Sequence, residues 1–143
     1  MHKSWTVTTP MQKKFLSRIL TYHLSRRLNS KLFEVVFEGY LDLYNPLSEQ
    51  PDIVIYSIVE TLKPVVAVEL CNNEELFEIN LLAKRLIETY GLKEFFIYNY
   101  ESEKWFRIEE LREIESSFSY FLSVDLKDAI ARDYQLLAVR QEI

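Results

Sequence analysis

The sequence predicts an α/β domain with a central mixed β-sheet, helices on both sides and the order αβββαββα. Three observations predict it. Residues 32–44, "LFEVVFEGYLDLY", alternate apolar and polar side chains with the period of a strand. Residues 74–90 switch to a helical period and end at Gly91, where a helix C-cap belongs. The aromatic run "EFFIYNY" (94–100) follows directly, so strand, helix and strand form a crossover whose two strands should lie parallel.

The elements follow in order. Residues 12–28 repeat Phe15, Leu16, Ile19, Leu20, Leu24 and Leu28 at helical spacing, with Lys14 and Arg18 on the opposite face and His23 on the apolar one. In the first strand Phe33, Val35, Phe37, Leu41 and Leu43 share one face. "NPLSEQP" is a turn-rich link. "DIVIYSI" (52–58) is the second strand, a link through Lys63 and Pro64 follows, and "VVAVELC" (65–71) is the third. Short links favour antiparallel neighbours among these three. After the crossover, "ESEK" turns the chain into a hairpin partner, "WFRI". The tail "VDLKDAIARDYQLL" reads as a closing helix with Asp125 as its N-cap.

Composition bounds the function. A chain of 143 residues, 48% hydrophobic, is expected to be a single domain, 1–143. It has no apolar run long enough for a membrane span and no signal-peptide pattern at its N-terminus. One cysteine allows no internal disulfide and suits a reducing, cytoplasmic setting. Cys71, His2 and His23 cannot form a zinc cluster, and two glycines cannot form a Gly-rich phosphate loop. Net charge is −5, but residues 1–33 carry seven basic side chains and no acidic one. A positive end on an acidic body can steer a polyanion, which makes the basic N-terminal helix the expected DNA contact.

Two carboxylates carry the chemistry. Asp52 opens the second strand, and Glu69 stands inside the third among Val65, Ala67 and Cys71. Charges are costly to bury, so acids lodged in core strands need a reason. If the two strands pair as a hairpin, the acids converge at one end of the sheet. Two carboxylates with a nearby backbone carbonyl make a hard oxygen site that suits Mg2+ (or Mn2+), which can activate water and neutralise a phosphodiester. A nearby lysine would complete such a site.

"QPDIVIY" followed by "PVVAVEL" resembles the PD-(D/E)xK nuclease superfamily, the restriction-endonuclease-like fold. The order of "AKRLIETYGLKEFFIYNYESEKWFRI" and "VDLKDAI" is similar to the Uma-type endonuclease family within it. The resemblance spans roughly residues 10–134 and rests on several short motifs in order. It implies a Mg-dependent endonuclease acting on DNA, with Asp52 and Glu69 as metal ligands. The usual lysine slot, two residues after Glu69, holds Cys71. In such proteins the lysine moves to the following helix, which implies Lys84. The family's acidic segment ahead of the first helix is missing, since no acid precedes Glu34; Glu38 is the substitute available. These departures leave an alternative. A catalytically inactive nuclease-fold protein could serve as an interaction module, with Phe95, Phe96, Tyr98, Tyr100, Trp105 and Phe106 as the surface of a homodimer.

Overall fold

Six strands pair side by side in the order in which the chain makes them: β1 (Phe33–Phe37), β2 (Ile53–Ser57), β3 (Lys63–Cys71), β4 (Glu94–Asn99), β5 (Lys104–Glu109) and β6 (Arg112–Glu115). The computed structural model describes residues 2–110 and 112–128, with side chains from residue 11 onward. Every neighbouring pair is antiparallel except β3 and β4. Those two are parallel, as the crossover requires, and α2 (Leu76–Tyr90) connects them. A separate two-stranded ribbon, β7 (Phe118–Ser119) with β8 (Val124–Asp125), follows the sheet.

The helices cover opposite faces. Helix α1 (His2–Arg27) buries Leu16, Leu20 and Leu24 against Ile53, Ile55, Val66, Val68 and Phe96. On the other face, Ala83, Leu86 and Ile87 of α2 pack on Val54, Ala67, Phe95 and Ile97. Strand alternation sorts β2, β3 and β4 between these two cores, so all three strands are apolar on both faces. Among the described residues no helix is long and apolar enough to cross a membrane.

Several expectations are corrected. The first strand stops at Phe37 rather than Tyr44, because Glu38 adopts φ 53° and residues 38–52 leave the ladder. Lys63 and Pro64 belong to β3 rather than to a link. Pro64 has no N–H for the ladder, and the register shifts at Ile55/Tyr56 opposite it. The link is instead the turn at 58–62, with Thr61 and Leu62 at φ 63° and 60°. The order αβββαββα gains β6, β7 and β8. Phe15 is 46% exposed rather than part of the buried stripe.

The aromatics offered as a homodimer surface lie inside the molecule. Phe95, Phe96, Tyr98, Tyr100 and Trp105 are all buried, and only Phe106 is half-buried. A second copy would have to use other residues. Asp125 does cap a helical turn at 126–128, its Oδ1 accepting from the Lys127 N–H at 3.2 Å. The rest of the expected closing helix lies outside the described residues.

Candidate active site

Asp52 and Glu69 meet because β2 and β3 are antiparallel neighbours. Ile53 is paired with Val68, which brings the residue before Ile53 level with the residue after Val68. Both acids fall on the face that α2 covers, in alternation with Val54 and Ala67. They also sit at the end of the sheet where the parallel strands β3 and β4 finish, the usual end for a ligand in such sheets.

Backbone groups fix both side chains. The Asp52 N–H donates to Glu69 Oε1 at 2.8 Å, and the Leu70 N–H donates to Asp52 Oδ2 at 2.7 Å. Each carboxylate is thus oriented by the other's strand, and each keeps lone pairs for a cation.

The cation present is Lys13. Its Nζ lies 3.5 Å from Asp52 Oδ2 and 3.8 Å from Glu69 Oε2, and it is 24% exposed. The register of α1 explains this. At about 100° per residue, Lys13 lies about 20° from Leu20, between Leu20 and Leu24 in the middle of the buried stripe. It occupies that stripe one turn before Leu16, where α1 overhangs the end of the sheet. Beside it the Ser17 hydroxyl is fully buried and donates to the Lys13 carbonyl at 2.7 Å.

The electrostatics follow from the crowding. Burial first, and the charge of Asp52 second, push the Glu69 carboxyl up to about 8. Asp52 is also raised, by burial, against the opposing pull of Lys13 and the Leu70 N–H. Burial pulls the Lys13 ammonium down, but Glu69 and Asp52 together outweigh it and hold it above the usual lysine value.

Lys84 stands elsewhere. Leu82 and Leu86 are the α2 side chains that line, with Glu49, Gln50, Pro51, Glu69 and Phe95, a cleft of about 200 Å³ beside Glu69. At about 100° per residue, Lys84 is about 160° round the helix from Leu82. It lies on the flank of Asn80, whose amide donates to Glu113 of β6 at 2.6 Å. Among the described residues, Lys84 forms no ion pair with either carboxylate.

The neighbouring residues have mostly structural duties. Cys71 is fully buried, and burial followed by the charge of Glu75 pushes its thiol up to about 12, which denies it a nucleophile's role. Asn72 and Glu75 exchange hydrogen bonds as a capping box at the entry to α2. Glu38 is exposed and contributes its backbone, donating its N–H to the Asp52 carbonyl at 2.8 Å. Among the described residues, two buried oxygens, Gln12 Oε1 and Tyr100 Oη, have no hydrogen-bond partner. Tyr100 stands beside the site at the end of β4, its N–H donating to the Cys71 carbonyl at 3.0 Å. Among the described residues no group of three or more His, Cys, Asp or Glu side chains is placed to hold a metal ion.

No model of a known family matches the sequence, and no curated protein matches it. A solved structure does: a candidate nuclease belonging to DUF820 from Anabaena variabilis ATCC 29413. It is 10% identical and superposes with a TM-score of 0.58 over 81% of this chain and 80% of that one. The two share a fold. DUF820 is the Uma-type, PD-(D/E)xK-like group whose motif order this sequence resembles. The mixed six-stranded sheet with a helix on each face is therefore the fold common to both.

Proposed function

We propose that this protein is a Mg-dependent endonuclease that hydrolyses phosphodiester bonds in DNA. The observation that carries the reading is the convergence of Asp52 and Glu69, from adjacent strands of a nuclease fold, on a single cation. The donor set fits a small hard dication. Mg2+ is commonly held by one or two carboxylates, with water and substrate phosphate filling its remaining positions, so a pair of acids suffices. The buried, crowded carboxyls, both raised by burial, gain most from a positive charge placed against both.

When bound, the ion supplies charge neutralisation at the phosphate and a more acidic water. This chain's residues do the remainder. Asp52 and Glu69 bind it in an orientation set by the Leu70 and Asp52 N–H groups. Pro51, Leu82, Leu86 and Phe95 keep the flank of Glu69 apolar. In hydrolysis the water oxygen bonds to phosphorus and the bond to the departing sugar oxygen breaks. The water gives up a proton to solvent and the departing oxygen takes one up. The developing negative charge needs a fixed cation. Lys84, implied by the family resemblance, and Lys13, seen against the acids, compete for that role. The exposed basic side chains of α1, Lys14, Arg18, Arg26 and Arg27, are the proposed contacts to DNA phosphates.

Calorimetry with MgCl2 and nicking of supercoiled plasmid test the reading. Wild type binds magnesium and nicks; Asp52→Ala and Glu69→Ala lose binding and lower nicking by about a hundredfold or more. If wild type and both variants ignore magnesium, the hydrolase reading falls and a silent nuclease fold serving as an interaction module takes its place. Lys84→Ala tests that lysine. A similar loss of nicking with magnesium binding retained puts it in the mechanism, and unchanged nicking removes it.

A further inference from the structure

Lys13 is an unusual residue for its position. A lysine in the centre of a helix's buried stripe costs stability unless its ammonium is paired. Here the stripe runs Lys13, Leu16, Leu20, Leu24, and the ammonium reaches past the end of the sheet to two carboxylates at once. The neighbouring basic residue, Lys14, is exposed. The chain therefore spends a buried helix position on delivering a charge to this one point. That point is also where an ion shared by Asp52 and Glu69 has to stand, so ammonium and dication compete for the same oxygens.

We propose that Lys13, delivered by the first helix, is the phosphate-facing lysine of this site and the internal rival of its metal. Lys13 holds the acid pair as a tethered counter-ion, gives up the carboxylates to a divalent cation, and remains beside them as the fixed positive charge that meets the phosphodiester. This rests on the metal-dependent reading above. Three further features support it. Lys84 lies on the opposite flank of α2 from the cleft that contains Glu69. Cys71, in the usual lysine slot, is sealed in the core. The Tyr100 hydroxyl, buried and without a hydrogen-bond partner among the described residues, stands at the end of β4 beside the strand that bears Glu69 and offers a displaced ammonium a neutral oxygen. No covalent change at Lys13 is involved. It acts as a cation throughout.

The experiment separates a rival cation from a purely structural one. Full-length wild type, Lys13→Gln and Lys13→Met are titrated with MgCl2 and melted with and without it, and their plasmid nicking is measured at saturating magnesium. Both variants are expected to bind magnesium at least about fivefold more tightly, because the competitor is gone. They are expected to melt lower than wild type without magnesium and to recover most of that difference with it. Their nicking is expected to fall about a hundredfold even at saturation. Magnesium affinity that is unchanged or weakened in both variants, or wild-type nicking by either, overturns the proposal. If Lys13→Gln does not melt cooperatively, Lys13→Met, which keeps more of the apolar stem, decides by the same readings. Binding that needs Asp52 and Glu69 but ignores Lys13 overturns the lysine assignment and leaves the metal site standing. A wild type that binds no magnesium overturns both.

Discussion

At the scale of single residues, the site is a compromise between burial and charge. Glu69 titrates near 8 in the folded protein against an ordinary value of 4.5. In the unfolded chain this carboxyl gives up its proton first, so folding holds an extra proton between those two values. Stability contributed by the group is fully present below about pH 4.5 and lost as pH rises toward 8. Asp52, also raised, adds to the same slope. The stabilisation from the charged Lys13 is lost in the same direction but at far higher pH, lasting until the ammonium deprotonates above its ordinary 10.5. Melting in a chelating buffer should therefore fall between pH 5 and pH 8 by several degrees, about 3 °C for each kcal/mol in a domain of this size. Glu69→Gln should flatten the fall, and an unchanged slope in that variant would remove Glu69 as its source. The two acids could be read from the sequence because strand alternation and a short hairpin are local rules. Lys13 was legible in principle and obscured in practice. Counting Phe15 among the buried residues turns the apparent apolar face away from Lys13, yet at about 100° per residue Phe15 lies about 140° from Leu20.

At the scale of elements, the sequence's periodicities located β2 to β5 and α2 to within a few residues, and the exceptions have physical causes. Alternation continues in the sequence past Phe37, but an apolar–polar pattern cannot say where the ladder loses its partner. Gly39 marks the place. A Cβ there would lie 2.7 Å from the Tyr56 hydroxyl, 3.1 Å from Val54 Cβ and 3.3 Å from Val36 Cβ. The chain thus crosses close over β2, where the Tyr56 hydroxyl donates to the Tyr40 carbonyl. Gly39→Ala should destabilise the protein by about 1–3 kcal/mol in urea unfolding, the usual range for overpacking. A change near zero would show that Tyr56 yields freely. Strand β6, "REIE", escaped notice for a different reason. It is a short, charged edge strand, the kind that discourages pairing with other chains, and its composition resembles a loop.

At the scale of the whole molecule, charge is divided by position along the chain. The first 33 residues, on and just beyond α1, carry seven of the 17 basic side chains and none of the 22 acids, so all the negative charge falls on the rest. Lys13 is spent on the acid pair, which leaves Lys14, Arg18, Arg26, Arg27 and Lys31 exposed for a polyanion. Binding to a DNA duplex, followed by fluorescence anisotropy, should weaken steeply with salt. Replacing Lys14 and Lys31 by Gln should lower the slope of log K against log salt by about 2. An unchanged slope would move the DNA surface away from α1. One further property comes from the sealed position of Cys71. The molecule carries a single thiol, fully buried in the strand that bears Glu69 and titrating near 12. Alkylating reagents can reach it only when the centre of the sheet opens, so its labelling rate is a built-in clock for that opening. Any ligand that grips the two neighbouring strands slows the clock by its own binding energy.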